Sequence, residues 1–145
     1  MKRILVAAGL VGLVGIMAPS MTAFAGKKER DFMEKELAPK VKEAGDKFKA
    51  SCGCPLAITI DDSTTQSTDD MRQARGMATT IIEGAPKYCT DAASKKAICQ
   101  LKSLVLAKAV KPANAEFTFK DGKGMLTHDG SMYTGWDQMT RKLDK

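Results

Sequence analysis

The chain lacks most of the motifs that indicate catalysis or a bound cofactor. Its 145 residues include one histidine, one tryptophan and four cysteines. No C-x-x-C is present, so neither a thioredoxin-type redox motif nor the C-x-x-C-H haem attachment sequence occurs. The cysteine spacings, C-x-C and C-x9-C, and the lone His128 fit no common zinc site. We therefore expect no enzymatic activity, no cofactor and no metal site.

The chain also has no strong excess of one charge. Lys and Arg number 23 against 17 Asp and Glu, and aromatic residues make up 6% of the chain. A nucleic-acid-binding protein usually concentrates basic residues on one face beside aromatic side chains. This composition predicts no nucleic-acid partner, although a mildly basic protein remains suited to a weakly anionic surface.

The N-terminus has the three parts of a secretory signal. Met-Lys-Arg is followed by an apolar run over 4–19 and by small residues at Ala23 and Ala25. We predict cleavage after Ala25, which leaves one domain over 26–145 with 21 basic and 17 acidic residues. A retained anchor is the alternative, but polar residues interrupt the run before about 20 apolar positions. The predicted location is the periplasm or secreted space, with no integral membrane segment in the mature chain.

Hydrophobic periodicity in the mature region predicts helices first. Apolar residues recur every three or four positions over 26–50, over 67–84 and over 90–110, which predicts three helices. Pro39 predicts a kink near Ala38, and Ser67 or Thr68 is the expected cap of the second helix. The third helix is expected to carry Ile98, Leu101 and Val105 as its stripe and to end at Pro112.

Alternating apolar residues predict the strands. Residues 55–61 suit a strand with one buried face, and Phe117 and Phe119 lie on one side of a hairpin that turns at 121–124 and returns over 125–128. A short third strand over 131–133 would complete a meander. We expect an α+β domain with an antiparallel sheet of three to four strands and about four helices, mainly on one face. The last helix carries Trp136, Met139 and Leu143.

The four cysteines predict two structural disulfides. They are an even number in a small chain with a predicted export signal, and Cys52 and Cys54 would close a strained ring if they paired with each other. We favour bonds from these two residues to Cys89 and Cys99, in either register. The alternative, Cys52 with Cys54 and Cys89 with Cys99, stays open.

A thiol-redox or soft-metal-handling protein built on Cys52-Gly53-Cys54 is the alternative function. A Cu(I) site would recruit methionine sulfur, and the candidate residues are Met71, Met77, Met125, Met132 and Met139. Met71 and Met77 lie near apolar stripes, so a core position is the simpler interpretation. Cys52 follows a helix C-terminus, where the helix dipole disfavours a thiolate.

Other polar groups have simple structural interpretations. His128, Asp129 and Ser131 are too close in sequence to form a triad merely as neighbours, and we expect His128 to be a surface histidine on a turn. A calcium site would use acids that flank a polar loop, namely Asp61, Asp62, Asp69 and Asp70. The ligand alternation of a calcium loop is missing there, and helix capping accounts for the last two.

Lysines supply the remaining candidate surface. The residues predicted to bind are Lys95, Lys96, Lys102, Lys108, Lys120 and Lys123. A basic helical surface or a basic hairpin tip can contact an acidic protein or an anionic envelope surface, although a solvated face is the commoner reason for such lysines. The sequence thus predicts an exported, non-catalytic binding protein of inhibitor, immunity or accessory type. An exposed aromatic patch of Tyr133 and Trp136 is one hypothesis, but the simpler interpretation is that Trp136 anchors the last helix in the core.

Overall fold

The computed structural model describes residues 26–111 and 113–145, and these form a four-stranded mixed sheet with its helices on one face. The helices are Lys27–Phe32 (α1), Ala38–Cys52 (α2), Thr68–Tyr88 (α3), Ala92–Ile98 (α4) and Trp136–Leu143 (α5). The strands are Ala57–Ile60 (β1), Ser103–Lys108 (β2), Phe117–Lys120 (β3) and Lys123–His128 (β4). The predicted signal peptide and Pro112 lie outside the described residues.

The α+β class is confirmed, but the sheet is not antiparallel throughout. Its order is β1-β2-β4-β3, where β1, β2 and β4 are parallel and only β3 runs antiparallel to β4. The predicted hairpin is correct: Asp121 and Gly122 both adopt positive φ, 50° and 79°, as a two-residue turn of this kind requires. The predicted third strand at 131–133 is reduced to one bridge between His128 and Tyr133, because β2 occupies the free edge of β4.

The helix predicted over 90–110 is wrong. Helix α4 ends at Ile98, and the chain re-enters the sheet as β2 between β1 and β4. Leu104 and Leu106 point toward the helices and are fully buried, whereas Val105 between them points to the open face of the sheet. The neighbouring strands β1 and β4 form hydrogen bonds with the backbone of this segment on both sides. Tertiary pairing of that kind overrides a local helical pattern.

The N-terminal helical segment changes its hydrogen-bonding pattern just before Pro39, next to the position where a kink was predicted. One π-helical turn, Met33–Leu37, joins α1 to α2, and Pro39 follows in the first turn of α2. Proline has no N–H to continue the helical ladder, so the irregular turn lies where that ladder is weakest. Helix α3, by contrast, runs past Pro86 to Tyr88 and not to the predicted end near Gly84. A proline so near a C-terminus disrupts little of the helix that precedes it.

The core lies between α3 and the inner face of the sheet. The predicted α3 face is confirmed, since its members Met71, Ala74, Ala78 and Ile81 are fully buried. Of the two residues predicted beside this face, Met77 is fully buried and Ile82 is partly buried. Helix α3 packs against α2 and crosses β2 and β4, and α5 packs against β3. Trp136, Met139 and Leu143 are buried as predicted, which fixes α5 on the domain.

Both disulfides adopt the crossed arrangement. Cys52 pairs with Cys89, and Cys54 pairs with Cys99. The first bond joins the C-terminal ends of α2 and α3, and the second joins the start of the sheet to the end of α4. The predicted arrangement is therefore confirmed, and the register that the sequence left open is chosen.

Ser67 caps α3, and its removal tests that role. The Asp70 N–H donates to Ser67 Oγ at 3.0 Å, which satisfies one of the free amides of the first turn. We expect Ser67→Ala to lower the free energy of unfolding by about 1 kcal/mol, measured by urea denaturation. Thr68→Ala, in the same turn, is the matched control and should change stability by less than about 0.5 kcal/mol. Equal losses in the two variants would contradict the capping role.

Candidate functional site

The structure brings half of the predicted binding lysines together. Lys102, Lys120 and Lys123 meet at the amino end of β2, and we call this group the lysine end. The Lys102 N–H donates to the carbonyl of Gly122 in the hairpin turn at 2.7 Å, and Lys120 lies directly opposite Lys123. All three are exposed, so they form a basic patch on the surface.

The other three lysines lie elsewhere. Lys95 and Lys96 are exposed on α4, which ends four residues before Lys102. Lys108 is at the opposite end of β2, where its Nζ lies 3.0 Å from a carboxylate oxygen of Asp70. Lys108 is therefore part of an ion pair and does not belong to the basic patch.

A groove on a different surface was not predicted as a site. It has a volume of about 730 Å³ and lies between the loop after β4 and helix α5. Met132 and Tyr133 form one wall, while Arg141, Lys142 and Lys145 form the other. Phe117 lines the groove and is almost fully buried. We call this feature the Tyr133 groove.

The apolar wall is held by a tightly bonded loop. The Asp129 carboxylate accepts hydrogen bonds from the N–H of Ser131 at 2.9 Å, the N–H of Met132 at 2.7 Å and the Ser131 hydroxyl at 2.9 Å. These bonds stabilise the carboxylate and lower the pKa of Asp129 to about 2. The loop leaves Met132 68% exposed and Tyr133 43% exposed, an unusual placement for two large apolar side chains that are adjacent.

Glycines of α3 allow the segment that carries Tyr133 to approach. A Cβ at Gly76 would lie 2.9 Å from the Tyr133 ring, and one at Gly84 would collide with the ring of Trp136. The backbone N–H of Trp136 also donates to Thr80 Oγ1 at 3.1 Å. One side of Tyr133 therefore rests on α3, and its other side remains available to the groove.

The opposite wall carries cations. Lys142 Nζ donates to the Phe117 carbonyl at 3.0 Å, which ties α5 to the edge strand β3. Within 26–111 and 113–145, no carboxylate lies at ion-pair distance from Arg141 or Lys145. Asp129 also lines the groove, but its carboxylate is occupied by the loop. Glu116 lines the groove as well, but among the described residues its carboxylate forms no ion pair with Arg141 or Lys145. The groove therefore combines an apolar wall with two cations that have no acidic partner in the described chain.

His128 is buried, so the prediction of a surface histidine is wrong. It shares the inward-facing side of β4 with Gly124 and Leu126, and none of its surface is exposed. Its Nδ1 accepts a hydrogen bond from the Gly130 N–H at 3.2 Å, whereas Nε2 has no hydrogen-bond partner among the residues that the structure describes. The Ser131 hydroxyl is bonded to Asp129. No nucleophile–base contact joins Ser131 to His128, and the three residues do not form a triad.

Burial also changes the acid–base behaviour of this histidine. It lowers the pKa of His128, and nearby Lys108 acts in the same direction, while Asp70 and Asp129 oppose the shift. His128 lies two residues after the buried Leu126 on β4, and this strand spacing was the signal that could have indicated an inward-facing side chain.

The other candidate groups are dispersed. Asp61 accepts from the Ser63 hydroxyl, Asp69 pairs with Arg72, and Asp70 pairs with Lys108. In the part of the chain that the structure describes, no three His, Cys, Asp or Glu side chains are grouped for a metal ion. Met71, Met77 and Met139 are in the core, whereas Met125 and Met132 are exposed on separate surfaces. Cys52 and Cys54 belong to different disulfides, so they do not form a C-G-C redox pair.

Comparison with protein families, curated proteins and solved structures finds no match for this chain. Among residues 26–111 and 113–145, no helix has the length and apolarity needed to cross a bilayer.

Proposed function

We propose that the protein is an exported, non-catalytic binding protein that takes an extended segment of a partner protein into the Tyr133 groove. The observation that carries this proposal is the pairing of exposed Met132 and Tyr133 with the cations Arg141 and Lys145 across one groove. An apolar side chain of the partner would pack on Met132 and Tyr133. A neighbouring Asp or Glu would bind the cations, so the partner segment is both apolar and acidic.

Binding accounts for the chemistry-bearing residues better than catalysis does. The cysteines serve as crosslinks, His128 has no contact with Ser131, and the acids are engaged in turns or ion pairs. Each of these groups has a structural partner that explains its position. The groove, by contrast, has exposed apolar surface with no structural purpose inside the domain.

Export is supported by the sulfur chemistry. All four cysteines are in disulfides, and such bonds form and persist in the periplasm, the secretory pathway and the extracellular space. Together with the predicted leader over 1–25, this favours a periplasmic or secreted protein.

The lysine end is the competing binding surface. It could contact an acidic protein or anionic lipid through charge alone. The exposed large apolar side chain near it is Met125, which is 38% exposed on the open face of the sheet. Charge contacts of exposed lysines are weak and salt-sensitive, so we assign the specific contact to the groove.

The two exposed methionines allow a matched test. We would place the photo-crosslinking residue p-benzoylphenylalanine at Met132 or at Met125, irradiate cells that export the protein, and identify the adducts by mass spectrometry. We expect a discrete adduct at Met132, joined to an acidic and apolar segment of the partner, and none at Met125. An adduct at Met125 alone would move the site to the lysine end and contradict the groove.

Charge reversal then tests the cation wall. The probe is a library of short peptides that contain Asp or Glu beside Phe, Tyr or Leu, with binding measured by fluorescence anisotropy. We expect Arg141→Glu with Lys145→Glu to weaken the best peptides about tenfold or more. The matched variant, Lys120→Glu with Lys123→Glu, should leave their affinity within about twofold. The reverse pattern, or no peptide that binds, would overturn the proposal.

A further inference from the structure

His128 is bonded to the loop that forms the apolar wall of the groove. Its Nδ1 accepts the Gly130 N–H at 3.2 Å, and a bridge joins His128 to Tyr133. Nδ1 can accept this bond only when it carries no proton, so the ring is neutral and the proton is on Nε2. We call the loop over Asp129–Tyr133 closed when this hydrogen bond is formed. The closed loop therefore requires a neutral His128 with its proton on Nε2.

Charged groups face the ring from the elements around it. Asp70 approaches from α3, Lys108 from β2, and Asp129 follows on the chain itself. Asp70 already pairs with Lys108 at 3.0 Å, and Asp129 is already bonded to Ser131 and Met132. A proton added to His128 would place a second cation beside Lys108 with no free carboxylate to balance it.

We infer that protonation of His128 releases the Asp129–Tyr133 loop and so weakens binding in the Tyr133 groove at mildly acidic pH. A proton on Nδ1 turns that atom into a donor and sets it against the Gly130 N–H, also a donor, so the hydrogen bond between them is lost. A charged, fully buried ring also needs water, and the Asp129–Tyr133 loop that is bonded to His128 contains no residue of the hydrophobic core. Regulation of binding rests on the proposed function, whereas release of the loop does not.

The direction with pH follows from the burial of the ring. A histidine exposed by an open loop titrates near pH 6.5, and burial in the closed loop lowers the pKa of His128 below that value. The closed loop is thus fully favoured above about pH 6.5 and loses its advantage as the pH falls through the lower pKa. The Asp129 pKa of about 2 keeps its own turn intact over this range, so the loop moves as a unit.

A titration by NMR tests the release directly. We would follow the His128 ring and the backbone amides of the oxidised protein from pH 7.5 to 5. We expect the amides of Gly130, Met132 and Tyr133 to shift with the same midpoint as His128, below pH 6.5, while those of Lys120 and Lys123 stay unchanged. Loop amides that do not follow the His128 midpoint would overturn the inference.

A Lys108→Met variant should shift the titration midpoint of His128, and a purely structural role of His128 would not explain such a shift. Lys108→Met removes the neighbouring cation and leaves Asp70 free to bind a protonated His128, so the shared midpoint should move to higher pH. Lys120→Met, a distant exposed lysine, is the control and should leave the midpoint in place. His128→Gln should abolish the titration; if that variant does not fold, the Lys108→Met shift still decides the matter. No shift in Lys108→Met would contradict the mechanism.

Peptide binding separates this inference from the proposed function. If a peptide binds at pH 7.5 and loses affinity with the His128 midpoint, both are supported. If it binds equally at both ends of the titration, regulation fails and the binding function stands. If no peptide binds at pH 7.5 while the loop still titrates, the proposed function fails and release of the loop stands.

Discussion

Replacement of Cys52 and Cys89 together by alanine is expected to lower the free energy of unfolding by about 4 kcal/mol. The bond closes a loop with a sequence separation of 37 residues and joins the ends of the two helices that pack most closely, α2 and α3. Both sulfurs are almost fully buried, so the loss of packing adds to the loss of the crosslink. Urea denaturation followed by circular dichroism measures the change.

The second disulfide provides the comparison. Cys54 and Cys99 are 45 residues apart and only partly buried. Loop entropy alone predicts nearly the same loss for this pair, about 4 kcal/mol, whereas a packing contribution would make the first pair the costlier one. Losses below about 1 kcal/mol for both pairs would contradict a structural role for the disulfides.

A thiol count on the same proteins tests the redox alternative. The native chain should show no thiol that reacts with a thiol reagent, because all four cysteines are paired. Two reactive thiols at Cys52 and Cys54 in the native protein would instead support a thiol-redox function.

Local signals predicted the parts of the fold that depend on nearby residues. The Ser67 cap, the α3 stripe and the Asp121-Gly122 turn each follow from a few adjacent positions. The crossed disulfides were also predictable, since an extended C-x-C cannot readily close on itself. These features can be predicted without knowing which distant segments pack against them.

Non-local pairing produced the errors. Residues 103–108 form a strand only because β1 and β4 lie on either side, and a single sequence contains no record of those neighbours. His128 was assigned to the surface because Asp129-Gly130 indicates a turn, although the residue before a turn can still face inward. The prediction of an antiparallel sheet is wrong for the same reason. Strands β2 and β4 pair in parallel although β3 lies between them in the sequence.

The Tyr133 groove could not be predicted because two separate segments form it. Met132 and Tyr133 come from a loop, and Arg141 and Lys145 come from α5 and its exit. Their separation depends on how closely α5 docks on α3, and that distance is set by Gly84 beneath Trp136. The apolar spacing around Trp136 predicts an anchor, but no pattern in the sequence indicates that Gly84 is the residue that receives its ring.

Gly84→Ala is expected to displace Trp136 and destabilise the domain. A Cβ at this position would collide with the indole ring, which also makes edge contacts with Phe48 and Tyr88 at centroid distances of 6.2 and 5.7 Å. Overpacking of this kind costs about 1 to 3 kcal/mol, which exceeds the roughly 1 kcal/mol that alanine gains over glycine in a helix. We expect a lower midpoint in urea and a red-shifted fluorescence of the single tryptophan, as α5 moves away from α3.

Gly45→Ala is the matched control because Gly45 also lies inside a helix, α2. The nearest atom to a Cβ there is the carbonyl oxygen of Leu56 at 3.6 Å, an ordinary contact. With space available, the substitution should raise the free energy of unfolding by about 0.5 to 1 kcal/mol through the lower entropy of the unfolded chain. The two glycines should therefore respond with opposite signs. A stabilised Gly84→Ala would show that Trp136 can move at no cost, and the position of α5 would then not depend on this contact.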